Sequence, residues 1–172
     1  MTPNPYLTMA QNNAWANATL YAAISGLSAA DFAAARPGFF PSLAATLNHI
    51  YEVDLYYVDA LEAGGRGRAV YDRAPIMDVA TLARAQAAVD LRFTNFCAGL
   101  TQAMLTELRQ TERADGMVCE EVGALVLHLV QHQIHHRGQA HTMVADAGIA
   151  PPQLDDFHLE FGRVPSAQDY FE

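Results

Sequence analysis

Four long segments of this chain repeat apolar residues with the period of an α-helix, and this limits the fold more than any other feature. The pattern predicts helices over about residues 5–25, 43–62, 79–108 and 120–147. We find no convincing strand pattern between them. Four helices of this length are typical of a bundle, so we predict an all-α fold, a four-helix bundle.

The predicted helices have suitable residues at their ends. Ser42 and Asp78 are good N-caps for the second and third helices. Glu120 and Glu121 fall in the first turn of the predicted fourth helix, where the helix dipole favours negative charge. Gly148 follows that helix in the position of a C-terminal cap.

The connections between the helices restrict the topology. Residues 109–119 are few enough to make the third and fourth helices antiparallel neighbours. Residues 63–77, with the flexible GGRGR run, extend to roughly 50 Å, which exceeds the length of about 30 Å of a 20-residue helix. They permit, without requiring, a long crossover and an up-down-down-up order. We expect one domain over residues 1–172, with an irregular C-terminal tail at 149–172.

Composition excludes several classes of partner. A formal charge of −9 disfavours binding to nucleic acid or to an anionic membrane surface. Residues 1–7 lack the features of a signal peptide, and no apolar run is long enough to span a bilayer. Cys97 and Cys119 form no CxxC motif and are expected to be small core residues in a reducing compartment. We therefore expect a cytoplasmic protein.

The predicted fourth helix has a face rich in histidine. Residues 128–139, HLVQHQIHHRGQ, hold four histidines within nine positions. At about 100° per residue, His128, His135 and His136 all lie within about 60° of His132. His141 points nearly opposite and is expected to face solvent.

Histidines four residues apart can reach one metal ion from the same side of a helix. The pairs 128/132 and 132/136 fit equally well, so spacing leaves the choice open. His49 on the predicted second helix can supply a third ligand if the two helices are neighbours. The competing interpretation is that these are hydrogen-bonded histidines of a bundle core. On the second helix, Glu52 and Tyr56 share the face of His49, whereas Asp54 points away.

Other metal sites fit less well. No histidine has Glu three residues before it, which excludes a di-iron carboxylate bundle. Gln133, not Glu, follows His132, which excludes a zincin protease. Haem ligation by a bundle histidine stays open. We find no Ser-His-Asp triad and no phosphate loop.

Three segments resemble the DinB-like family and its relatives, the bacterial thiol-transferases. NAWANATL at 13–20 is similar to the family's first-helix pattern, and SLAATLNHI at 42–50 to its second-helix histidine segment. HLVQHQIHHRGQ at 128–139 resembles its most specific motif, a histidine pair followed by Arg-Gly-Gln. The resemblance spans roughly residues 5–147.

The resemblance implies an up-down-down-up four-helix bundle, often a homodimer, with a divalent metal held by three histidines. The positions that match are His49, His132 and His136, so it favours the 132/136 pair. His128 and His135 then become pocket residues. Gln131 stands where the family often has asparagine, and it faces away from the site.

Three neutral imidazoles leave a coordination position open, as in catalytic sites. Imidazole suits Zn²⁺ and Ni²⁺, while Fe and Mn stay open. The resemblance implies activation of a low-molecular-weight thiol, with Glu52, Tyr56 or His135 as candidate bases. Two hypotheses follow. The first is a metal-dependent enzyme acting on small molecules, a thiol S-transferase or a related isomerase or detoxification enzyme. The second is a non-catalytic, stress-associated protein that binds a metal or a small ligand.

Overall fold

A computed structural model describes residues 4–171 of the chain. The expectation of no signal peptide concerns residues 1–7, of which 1–3 lie outside the described part. The described chain is mostly helical, with one two-stranded hairpin. Its elements are α1 (Pro5–Ala23), α2 (Ala29–Ala33), α3 (Leu43–Leu61), α4 (Val79–Ala98), β1 (Leu108–Arg113), β2 (Gly116–Glu121) and α5 (Val122–Asp146).

The four long helices α1, α3, α4 and α5 pack around a common core. Helix α1 lies mainly against α4, and α3 lies mainly against α5. Helix α3 also contacts α4, and α1 contacts α5. The predicted second and fourth helices, α3 and α5, are therefore neighbours, which is the condition for His49 to approach the histidine face of α5.

The helix starts follow from side-chain capping. The Ser42 hydroxyl accepts a hydrogen bond from the backbone N–H of Ala45 at 3.1 Å. Asp78 accepts one from the N–H of Thr81 at 2.7 Å. Each cap satisfies a backbone donor that has no partner within its own helix. Both predicted caps are confirmed.

The apolar core has two main parts along the bundle. One part includes Val53, Val58, Phe93, Val126 and Leu129, and the other includes Leu20, Leu43, Leu47, Leu82 and Met143. Leu47 and Leu129 are each 1% exposed. Truncating either to alanine would cost about 2–5 kcal/mol of folding free energy, because the cavity is only partly refilled.

The prediction of a purely helical chain is wrong between residues 99 and 121. Helix α4 ends at Ala98 instead of residue 108, with Gly99 as its C-cap. Strands β1 and β2 then form an antiparallel hairpin in which Arg113 pairs with Gly116. Helix α5 consequently begins at Val122 instead of 120. The mainly exposed hairpin is held by backbone pairing that helical periodicity does not detect.

This hairpin also displaces the two glutamates predicted for the first turn of the last helix. Glu120 lies within β2, and Glu121 ends that strand and occupies the N-cap position of α5. Cys119 lies on the same strand and is exposed, whereas Cys97 is fully buried. The expectation of a core position is confirmed for Cys97 and wrong for Cys119.

The hairpin packs over the C-terminal half of α3. The Tyr56 hydroxyl donates a hydrogen bond to the backbone carbonyl of Glu112. Arg113 donates to the Tyr57 hydroxyl at 2.9 Å. The long α3–α4 connection, expected to be a flexible loop, forms a short 3₁₀-helix at Gly67–Tyr71. These contacts place polar and aromatic groups next to the histidine face.

The C-terminal tail covers α1. It is mostly irregular but ends in a 3₁₀-helix, Pro165–Tyr170. The rings of Trp15 and Phe157 lie 5.4 Å apart, and Trp15 Nε1 donates to the Ser166 hydroxyl at 3.1 Å. Within residues 4–171, we find no helix with the length and apolar character needed to cross a bilayer.

Candidate metal centre

Three histidines from two helices converge at the α3–α5 interface. His49 projects from α3, and His132 and His136 project from successive turns of α5. Each offers one ring nitrogen, and these three atoms all lie within 4.8 Å of one another. The Nε2 atoms of His49 and His132 are 3.0 Å apart. Two ligands of a tetrahedral zinc ion are separated by about 3.3 Å, so the cluster fits a metal after small side-chain adjustments.

The three imidazoles are held in the neutral form that a metal requires. Burial, and then the charge of His136, lowers the pKa of His49 to about 4. Burial and the neighbouring histidines lower the pKa of His132 to about 3. Burial also lowers the pKa of His136. At neutral pH each ring therefore carries a lone pair on one of its two nitrogens, as metal coordination requires.

One ligand candidate has a partner that fixes its tautomer. His136 Nδ1 lies 2.9 Å from Gln139 Oε1, and since an amide oxygen only accepts, His136 must donate its Nδ1–H. Its Nε2 lone pair is then directed to the cluster, as in metal-ligating histidines generally. Gln139 in turn contacts His135 at 3.1 Å. The buried Nδ1 atom of His132 has no hydrogen-bond partner among the described residues.

The remaining histidines of α5 lie outside this cluster. His128 is exposed, and its ring centre is 6.1 Å from that of His132 but 4.8 Å from that of Tyr57. His135 is also exposed. The geometry thus brings His132 and His136 together with His49 and leaves His128 at the edge.

His141 does not face open solvent as expected. It is half-buried, and its Nε2 donates to the carbonyl oxygen of Pro152 at 2.9 Å. The reason is that the C-terminal tail folds back over α1 and α5, which periodicity within α5 alone does not predict.

Two consecutive phenylalanines from the segment before α3 cover the cluster. The ring centre of Phe40 lies 4.5 Å from that of His49 and 5.5 Å from that of His136. Phe39 packs edge-on against Phe40 and is 78% exposed. This pair was not predicted from the sequence, because it lies in a connection without periodicity. The Phe-Phe run between two helices was the available signal.

The candidate bases Glu52 and Tyr56 follow His49 on α3, and neither forms a hydrogen bond to the three histidines among the described residues. Burial raises the pKa of the half-buried Glu52, and the nearby charge of Arg73 opposes this shift. Burial likewise raises the pKa of Tyr56, whose hydroxyl is engaged by Glu112. Tyr71 stacks on Tyr56 at 5.5 Å. Arg73 and Tyr71 come from the α3–α4 connection and were not predicted.

A cavity of about 420 Å³ lies between the C-terminal end of α3 and the hairpin. Tyr56, Gly67, Thr111 and Met117 are among its lining residues. Tyr56 follows His49 by two helical turns, or about 10 Å. The cavity offers space for a small molecule, but none of the three histidines is among its lining residues.

Behind the histidines, a polar network crosses the centre of the bundle. Arg137, next to His136, is 5% exposed and donates to the amide oxygens of Asn13 at 2.7 Å and Asn17 at 2.8 Å. Gln133, next to His132, donates to Asp54. These bonds fix the rotation of α5 about its axis, and so the direction of its histidine face.

Two carboxylates complete this network. Asp54 does point away from His49 as predicted, but it is buried and accepts from Gln86 at 2.6 Å. Asp90 accepts from Asn17 and Gln86 at 3.0 Å each. Burial, and then the charge of Asp90, raises the pKa of Asp54 well above its usual value. The network was not predicted, because a polar residue on one helix does not reveal its partners on other helices.

The chain is thus a helical bundle with a histidine cluster that could hold a metal ion. The sequence model of the DinB family matches residues 1–166. The chain belongs to the DinB family.

Solved structures show the same fold. The chain is similar to a DinB-like protein from Bacillus cereus, with a TM-score of 0.62 and 18% identity over 81% of this chain and 90% of that chain. It is also similar to the DinB-like protein YjoA from Bacillus subtilis, with a TM-score of 0.62 and 17% identity over 87% of this chain and 96% of that chain. No curated protein matches the chain.

Proposed function

We propose that this chain is a metal-dependent enzyme acting on small molecules, with His49, His132 and His136 as ligands of one divalent ion. The observation that carries the proposal is the cluster itself, in which three neutral ring nitrogens from two helices lie within 4.8 Å of one another. The Nε2 atoms of His49 and His132 face each other at 3.0 Å. A divalent ion bound between them would accept both of their lone pairs.

Zn²⁺ and Ni²⁺ suit this all-imidazole donor set best, and Fe and Mn are the next choices. Bound by three histidines, such an ion supplies Lewis acidity that lowers the pKa of a water or thiol in its open position. A low-molecular-weight thiol is the proposed substrate, by analogy with the thiol-transferases that the sequence resembles.

The residues around the cluster would bind and orient the reactants. Phe39 and Phe40 form an apolar wall that keeps water away from His49 and His136 and can hold the apolar part of an electrophile. Glu52, with its raised pKa, is suited to take the proton that a thiol loses. His135 is an alternative acceptor, since Gln139 links it to His136.

A binding protein without catalysis is the second candidate. The observation in its favour is that neither Glu52 nor Tyr56 forms a hydrogen bond to the three histidines among the described contacts, and that Tyr56 is held by Glu112. A stress-associated role in sequestering a metal or ligand needs no base beside the ion. The binding protein would use the same three metal ligands as the proposed enzyme, but it would not convert a substrate.

We infer that the long helices run in the up-down-down-up order. Asn4 at the start of α1 donates to the carbonyl of Cys97 at the end of α4 at 2.8 Å, which supports antiparallel packing. Asn48 in α3 donates to Ile76 just before α4 at 2.9 Å. Glu62 and Arg92, at the far ends of α3 and α4, also pair, at 2.6 Å. These two contacts support a parallel α3–α4 pair joined by a crossover.

We also propose a cytoplasmic homodimer that binds neither nucleic acid nor membrane. The net charge of −9 supports the exclusion of polyanionic partners. Family habit and the alanine-rich helices support the dimer. Light scattering at micromolar concentration should give twice the chain mass. Detection of only a species with the mass of a single chain would contradict the dimer.

Turnover of a chromogenic electrophile with a panel of bacterial thiols tests the enzyme. The protein should be purified without a histidine tag and reconstituted with Zn²⁺ or Ni²⁺. We expect conjugation with at least one thiol and its loss on chelation. A chelator-insensitive rate would contradict the metal-dependent mechanism. Stoichiometric metal with no turnover for any thiol would favour the binding protein.

A further inference from the structure

A second candidate site lies on the α1–α4 side of the bundle, whereas the histidine cluster lies between α3 and α5. A groove of about 680 Å³ runs between α1 and α4. Small-molecule pockets have volumes of about 300–1,000 Å³. Six alanines line the groove together with polar and charged residues; they are Ala14, Ala18, Ala22, Ala80, Ala83 and Ala87. The alanines leave room for a slender apolar chain.

Two of the residues that line this groove carry buried polar atoms without hydrogen-bond partners among the described residues. Gln86 is fully buried and Tyr21 is 5% exposed, and both line the groove. Gln86 Oε1 and the Tyr21 hydroxyl find no hydrogen-bond partner among the described residues. Buried polar groups are nearly always paired, by protein, water or a ligand. Two orphaned oxygen atoms in one groove therefore point to a bound hydrogen-bond donor.

A carboxylate lines the same groove without a direct cationic partner. Asp90 is 4% exposed and accepts hydrogen bonds from the amides of Asn13 at 3.2 Å, Asn17 at 3.0 Å and Gln86 at 3.0 Å. Arg137, the cation of the network, contacts the oxygens of Asn13 and Asn17 instead of the carboxylate.

The charge of Asp90 makes a cation the complementary ligand. Burial raises the pKa of Asp90 to about 6, so it is still mainly ionised at neutral pH. A buried carboxylate gains most from a donor that is itself charged. The groove thus combines a carboxylate with apolar alanine side chains, and Arg84, which also lines it, donates to the Thr81 hydroxyl at 3.1 Å.

We propose that the α1–α4 groove binds an elongated apolar molecule with a primary ammonium group. The three N–H groups of the ammonium donate to Asp90, to Gln86 Oε1 and to the Tyr21 hydroxyl oxygen. The apolar chain lies along the alanine walls. Ala14 to Ala22 span about 12 Å along α1, comparable to an octyl chain. The site is independent of the histidine cluster.

Calorimetric titration of the chelator-treated protein with octylamine, octanol and octanoate tests the proposal. Removing metal prevents the amine nitrogen from coordinating a metal ion at the histidine cluster. We expect saturable binding of one octylamine per chain, at least tenfold tighter than octanol, and no binding of octanoate. No octylamine binding would overturn the proposal. Equal affinity for octanol would overturn the ammonium assignment.

A matched pair of variants locates the site. Ala18 and Ala88 are both exposed, but only Ala18 is among the groove-lining alanines. Ala18→Phe should weaken octylamine binding at least tenfold, whereas Ala88→Phe should leave it unchanged. Tyr21→Phe removes an unpaired hydroxyl, so the fold should survive while affinity falls severalfold. Unchanged affinity in Ala18→Phe would place binding elsewhere.

A second copy of the chain is the competing occupant. Sedimentation of the same variants distinguishes it. If Ala18→Phe alone converts a dimer to a monomer and no variant binds octylamine, the groove is an interface between copies and the ligand proposal is wrong.

Discussion

His49 and His132 face each other through Nε2 atoms 3.0 Å apart, although 83 residues separate them in the chain. Burial keeps both rings neutral, with pKa values lowered to about 4 and about 3. At this distance the two nitrogens cannot both direct lone pairs at each other without a proton or a cation between them. A metal ion that replaced this proton and was also bound by His136, as proposed, would explain why three such rings are gathered here.

Gln139 should be a positioning residue for the metal. Its Oε1 accepts from His136 Nδ1 at 2.9 Å and so holds the Nε2 lone pair towards the cluster. We expect Gln139→Ala to weaken metal affinity by about 10–100-fold, the usual effect of losing such a partner. Competition with a chromogenic chelator measures this. Gln131→Ala, at an exposed glutamine of the same helix, is the control and should have no effect.

The histidine cluster should destabilise the metal-free protein in acid. The folded pKa of His132, about 3, lies below its usual 6.5, so the unfolded chain binds more protons between these values. The contribution of neutral His132 to stability is complete above pH 6.5 and is lost as pH falls towards 3. Relative to His132→Ala, the wild type should lose unfolding free energy from pH 7 to pH 4.5 in urea titrations. A constant difference would contradict the lowered pKa.

The two buried aspartates should respond differently to removal of their charge. In Asp54 one oxygen accepts from Gln86 and Gln133 while the other has no partner among the described residues, so an asparagine can keep both bonds. Asp54→Asn should change stability by less than about 1 kcal/mol at pH 7. Asp90 uses both oxygens as acceptors from amides, so the amide nitrogen of Asp90→Asn would face donors. A loss of about 2 kcal/mol is expected.

Urea-induced unfolding at pH 7 compares these two variants. A larger loss in Asp54→Asn than in Asp90→Asn would mean that Asp54 is ionised in the folded protein. That result would contradict the raised pKa of Asp54.

Helical periodicity and capping residues predicted most of the bundle. Ser42 and Asp78 mark the starts of α3 and α4, and Gly148 follows α5 with a positive φ of 76°. The hairpin was not predicted because several of its apolar side chains are exposed. Leu108 is 61% exposed and Met117 is 58% exposed. Its strands therefore lack the alternation of a half-buried sheet. Gly99 and the Asp115-Gly116 pair were the signals for a helix end and a tight turn.

The histidine cluster was predictable because it depends on one helix face and one neighbouring helix. Spacing alone left the histidine pairs 128/132 and 132/136 equally suitable as metal ligands. The two pairs differ in which residues of the neighbouring helix α3 lie beside them. His128 lies beside Tyr57 of α3, two turns along from His49. The interhelical partners of Asp54 and Asp90 depend on the rotation of several helices at once, which a single sequence does not specify.

Metal analysis of alanine variants tests the proposed centre most directly. Wild-type protein, His128→Ala, His132→Ala and His136→Ala would be purified without a histidine tag, loaded with Zn²⁺, desalted and measured by mass spectrometry of the metal. We predict about one ion per chain in the wild type and in His128→Ala, and almost none in His132→Ala and His136→Ala. Loss of the metal in His128→Ala together with its retention in His136→Ala would contradict the centre formed by His49, His132 and His136.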